Sequence, residues 1–199
     1  MRGMTRAVFT RWVAHLAPLP LGLALSGALV WQASNAAFTA STGNGSNSWG
    51  ASTQGLTNDS TGAMFSISNM TPGATGSKCL KVTSTGTVPA TVKLYTALGA
   101  AVSNDISPYI NVTIQLGTGG TFASCSSFTS TATEYSGTLS ALTSSATSYA
   151  TGEPAGSLTG TPPETLTYEI TYTFSASAPN SAQGGTTPNV TFTWESQNN

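Results

Sequence analysis

Few residues in this chain can carry chemistry. Two cysteines and one histidine stand among 199 residues. Cys79 and Cys125 lie 46 positions apart. In an exported chain an even cysteine count reads as a disulfide. Closing a loop of that length contributes about 4 kcal/mol by restricting the unfolded chain. Two unrelated buried thiols are the alternative on these residues alone. A cysteine metal pair lacks partners, because His15 is the only histidine and no third cysteine follows. Thr53-Gln54-Gly55 superficially suits a Cys–Gln thioester of extracellular fibres, but a disulfide would already use both cysteines.

Catalysis is harder to assemble. His15 sits in an N-terminal stretch that reads as removable, so no Ser-His-Asp or Cys-His system can form in what remains. A zinc-protease helix motif, a phosphate loop and a GxSxG elbow are all absent. Asp59, Asp105, Glu134, Glu153, Glu164, Glu169 and Glu195 are scattered and read as solvated surface, not as a glycosidase-like pair. Asn58-Asp59-Ser60 lacks the spacing of a calcium loop. Trp49, Tyr95, Tyr109, Tyr135 and Tyr149 could stack on sugars, although burial is the commoner fate of aromatic rings. The expectation is a protein that is not an enzyme, with no metal and no cofactor.

The elements that hold these residues begin with the N-terminus. Arg2, Arg6 and Arg11 precede an apolar run over 16–31, which Pro18 and Pro20 interrupt. Ser34 and Ala36 then supply a small-x-small exit. A basic head, a short apolar body and small residues describe a signal peptide over 1–36, cut before Ala37 by a signal peptidase. The run is too short and too broken for a stable bilayer span. Removing it leaves Lys78, Lys81 and Lys93 against seven acids, a formal charge of −4. A chain with three lysines and no arginine has no electrostatic footprint for nucleic acid.

Serine and threonine form roughly a third of the remaining chain, far above ordinary usage. Their placement is regular. Leu166, Tyr168, Ile170, Tyr172 and Phe174 alternate with Thr165, Thr167, Glu169, Thr171 and Thr173. Val190, Phe192 and Trp194 alternate with Thr191, Thr193 and Glu195. Shorter alternations run through Phe65 and Ile67, Leu80 and Val82, Val92 and Leu94, and from Ile110 to Leu116. Period-2 patterning puts one face in a core and the other in water. Turn clusters at Thr71-Pro72-Gly73 and over 84–89 and 117–120 separate these runs. Residues 138–150 are the one candidate for a short helix. The pattern predicts an all-β chain: residues 37–60 an extended arm or long loop, and 61–199 one antiparallel β-sandwich with long loops.

Three stretches carry a family resemblance. Residues 23–40, LALSGALVWQASNAAFTA, resemble the signal of proteins processed by the dedicated signal peptidase SipW. Residues 69–95, NMTPGATGSKCLKVTSTGTVPATVKLY, and 179–197, PNSAQGGTTPNVTFTWESQ, are similar to the body and closing strand of TasA- and camelysin-type proteins. The resemblance implies a jelly-roll-like sandwich and a secreted biofilm-matrix or cell-surface protein. It also implies fibres in which a processed N-terminal arm completes the next subunit's sheet. Carried onto this chain, the donor strand is Ala37, Phe38, Thr39, Ala40, Ser41 and Thr42, with Phe38 as its apolar anchor. Two departures stand out. The metallopeptidase activity attached to the family has no histidine after residue 36 to support it, and the Cys79–Cys125 pair is outside the family pattern.

The expected function is therefore that of a fibre subunit that self-associates, with an accessory matrix or surface protein as a further partner. The competing expectation is a monomeric extracellular binding module for a glycan or a surface protein.

Overall fold

The computed structural model describes residues 39–44 and 55–198. The described residues belong to one compact unit. The signal-cleavage residues Ser34, Ala36 and Ala37, and the anchor Phe38, lie outside the described residues.

Among the described residues nine strands form two antiparallel sheets. They are β1 (Thr39–Asn44), β2 (Leu56–Asn58), β3 (Thr75–Ser84), β4 (Ala90–Leu98), β5 (Ile110–Thr118), β6 (Thr129–Thr138), β7 (Glu153–Leu158), β8 (Glu164–Phe174) and β9 (Val190–Asn198). A four-stranded sheet runs β1-β9-β4-β7 and a five-stranded sheet runs β2-β3-β8-β5-β6. With β2 set aside as a short added edge, the chain changes sheet at every connection except the β5–β6 hairpin. That alternation is the strand order of a jelly roll.

The inner faces come from the predicted alternation. Leu80 and Val82 of β3, Ile114 of β5, and Tyr168 and Ile170 of β8 line one sheet; Val92 and Leu94 of β4, and Phe192 and Trp194 of β9 line the other. Tyr168 and Trp194 meet between the sheets with ring centroids 5.4 Å apart. Ring pairs at such a distance add to the burial that drives the two faces together.

A short helix, α1 (Leu139–Ser145), leads from β6 towards β7. Thr138 caps it by accepting from the Ala141 N–H at 3.1 Å, and Leu139 and Leu142 bury its inner side. The Ala146 carbonyl at its C-terminal end accepts from the Thr96 N–H at 2.7 Å and the Thr96 hydroxyl at 3.0 Å. This ties the helix to β4. Among the described residues no helix is long and apolar enough to cross a membrane.

Two expectations change. Residues 64–67 form no strand: Met64 is buried and Ile67 exposed in an irregular segment, where the turn at Thr71-Pro72-Gly73 leads into β3. Residues 37–60 are not simply arm or loop, since β1 and β2 both belong to the sheets.

Candidate functional site

Cys79 and Cys125 are bonded, with their Cα atoms 5.4 Å apart. Cys79 lies on the outer face of β3 yet is fully buried, because the loop over 119–128 folds back across β8 and covers it. Gly120 makes the close approach. Its φ is +69°, and a Cβ there would stand 3.2 Å from the Cys79 sulfur.

The loop does not depend on the sulfur bridge alone. Asp59 follows β2, and one of its carboxylate oxygens accepts from the Lys81 backbone N–H at 2.8 Å. The other accepts from the Phe122 N–H at 2.9 Å. The Lys78 ammonium donates to the Phe122 carbonyl at 3.1 Å and stands 4.7 Å from the Phe122 ring centroid. Phe122 itself is buried. Inside the loop, Thr121 and Ser124 exchange backbone hydrogen bonds, and the Ser127 hydroxyl accepts from the Gly120 N–H at 2.9 Å.

Glu169 stands in register with Cys79 on one side and Gln115 on the other, beneath this loop. The Cys79 and Cys125 sulfurs and a Glu169 carboxylate oxygen all lie within 4.8 Å of one another. Composition gave no sign of this grouping, because nothing in the spacing of Cys79, Cys125 and Glu169 announces that one strand register and one loop will join them.

Other acids also have structural posts. The Glu164 carboxylate accepts from the Thr159, Gly160 and Thr161 N–H groups at 2.9, 2.8 and 3.2 Å, and from the Thr159 hydroxyl at 2.8 Å. Those donors, the Thr159 N–H first, hold its pKa below the ordinary carboxylate range. Asn58-Asp59-Ser60 is no calcium loop: both Asp59 oxygens face N–H donors, and the Asn58 side-chain oxygen accepts from Ser60.

On the outer face of the four-stranded sheet, Tyr95 donates to Glu195 at 2.7 Å, and Gln197 donates to the same carboxylate at 2.9 Å. Burial, and then the hydrogen bond and charge of Glu195, push the Tyr95 hydroxyl up to about 12. Lys93 lies 5.5 Å from the Tyr149 ring centroid. Tyr95 and Tyr149 thus share one surface. Tyr135 sits apart on β6, its hydroxyl donating to the Thr138 carbonyl, and Tyr109 ends a single helical turn before β5. Trp49 lies outside the described residues.

The donor strand was expected over 37–42; the strand seen is β1, reaching Asn44. It pairs with β9 of the same chain, from Thr39 opposite Gln197 to Asn44 opposite Phe192. Thr42 is buried opposite Trp194, and its hydroxyl accepts from the Asn58 side-chain amide. That bond links β1 to β2, and so one sheet to the other. No protein-family model and no curated protein matches the chain.

Proposed function

We propose that this chain is a secreted structural protein, a biofilm-matrix or cell-surface fibre subunit that assembles by lending β1 to a neighbouring copy. The observation behind this reading is the position of β1. Among the described residues it is an edge strand paired with β9 alone, over six residues. A strand held by one ladder can be supplied by another molecule, with the same main-chain bonds formed between chains. Donor strand and acceptor edge are different surfaces, so such contacts propagate as filaments instead of closing. The disulfide suits an oxidising exterior, and the signal-like N-terminus and the resemblance to TasA- and camelysin-type proteins support export and assembly. An accessory surface or matrix protein would start or end the filament through the same edge.

The test is to refold the untagged chain from residue 37 at rising concentration, followed by light scattering and electron microscopy. Filaments are expected, and none from a chain that begins at residue 45, which should instead bind a peptide of residues 37–44. Filaments from the shortened chain would overturn the reading, as would a full mature chain that stays monomeric at the highest attainable concentration.

The surface carrying Tyr95, Tyr149, Lys93, Glu195 and Gln197 favours a second reading, a monomeric module that binds glycans. It predicts ligand-dependent quenching of tyrosine fluorescence, lost in Tyr95→Ala. A glycan panel without any response would count against it.

A further inference from the structure

We propose that reduction of the disulfide converts Cys79, Cys125 and Glu169 into a site for a zinc-type divalent ion. Two thiolates and a carboxylate would supply three ligands, leaving the fourth position open. The inference is independent of whether the chain forms fibres.

The geometry is nearly in place. A tetrahedral zinc ion binds thiolate sulfur at about 2.3 Å and carboxylate oxygen at about 2.0–2.2 Å. Its ligand atoms therefore stand about 3.5–4 Å apart. Here the three candidate atoms lie within 4.8 Å of one another, a small rotamer adjustment from that arrangement. Two of them rise from directly opposed positions on neighbouring strands, whose ladder fixes their spacing. The Glu169 carboxylate has no hydrogen-bond or ion-pair partner among the described residues, so nothing competes for it.

The third ligand decides whether a site survives reduction. Opening a disulfide ordinarily lets its ends drift apart. In this fold Cys125 is also held through Phe122, which Asp59 and Lys78 fix at backbone N–H and carbonyl. The Phe128 N–H bonds the Cys125 carbonyl at 2.9 Å on the other side. The loop is thus anchored at Phe122 on one side and continues into β6 at Thr129 on the other without help from sulfur, and the free thiols are kept close. Two soft thiolates favour zinc over calcium or magnesium.

The chemistry balances simply. A dithiol delivers two electrons and two protons to the Cys79–Cys125 bond and leaves as its own disulfide. The ion then displaces both thiol protons and binds the two sulfurs with the Glu169 carboxylate. While the disulfide is intact there is no thiolate and no site.

Cobalt(II) titration of the full chain tests this, before and after reduction with an immobilised phosphine under argon. The chain has only two cysteines, so a thiolate-to-cobalt charge-transfer band reports this site alone. The oxidised protein should give no band. The reduced protein should give one that saturates at one equivalent and is displaced by zinc. Asp59→Asn, which loosens the loop without touching a ligand, should weaken binding about tenfold, and Glu169→Gln should weaken it more. No band in the reduced protein would overturn the proposal. So would a Glu169→Gln protein that folds, judged by its near-ultraviolet circular dichroism when oxidised, and binds cobalt as tightly as the parent.

Discussion

Asp59 and Glu164 are both acids beside turns, and composition alone treats them alike. The fold gives each a separate duty. Asp59 joins two segments through one carboxylate, bonding Lys81 in β3 and Phe122 in the covering loop. Glu164 organises its own turn by gathering the N–H groups of Thr159, Gly160 and Thr161. Its lowered pKa has a definite sign in stability. The folded state favours the ionised form, so the contribution is complete above the pKa of the unfolded chain and is lost as pH falls through the folded value. Glu164→Gln should therefore melt below the parent at neutral pH, and the gap should close on acidification. A gap that stays constant down to strongly acidic pH would show that the charge contributes nothing; the exposure of this carboxylate keeps the effect small. The cysteines were legible as a disulfide from their even number and the signal-like N-terminal pattern, whereas Glu169 was not legible as their neighbour. Registers across strands decide such meetings, and a local pattern carries no register.

At the scale of elements, the division between what the alternation marks and what it misses follows the sheet edges. The alternating runs around Leu80, Val92, Ile114, Tyr168 and Trp194 became β3, β4, β5, β8 and β9, and each of these has a neighbour on both sides. The unmarked strands β1, β2, β6 and β7 are the four edges. An interior strand must fill the core from one face, so its large apolar residues alternate. An edge strand is recruited through its backbone by an existing neighbour and can be nearly free of large side chains. β6, TSTATEYSGT, illustrates this, with two irregularities in its pairing to β5. Polar composition and such bulges also discourage unwanted pairing at an edge. The helix expected within 138–150 does form, though over a shorter span. Its hold on the core runs through Leu142, which is fully buried. Leu142→Ala should cost about 3 kcal/mol in denaturant unfolding. A loss below about 1 kcal/mol would mean that α1 is an ornament on the sandwich and not part of its core.

Across the whole molecule, most pairings join distant parts of the sequence, with β1 on β9 the most distant. Such topologies fold slowly because long loops must close before any ladder rewards them. The disulfide shortens that search by linking β3 to the β5–β6 loop. Replacing both cysteines by serine should lower stability by about 4 kcal/mol, read as an earlier urea midpoint with the same native circular dichroism. An unchanged midpoint would mean that the bridge does not restrict the unfolded chain as its loop length predicts. The β1–β9 ladder has a further consequence. Its six pairs form the same bonds whether the two strands belong to one chain or to two. Contact energy therefore favours neither the closed monomer nor the polymer, and local crowding makes the choice. A strand tethered to its own fold meets its acceptor at an effective concentration on the order of millimolar. Dilute subunits would stay closed, and filaments would grow where chains emerge side by side. Under the proposed function, the place of export would then determine where a fibre begins.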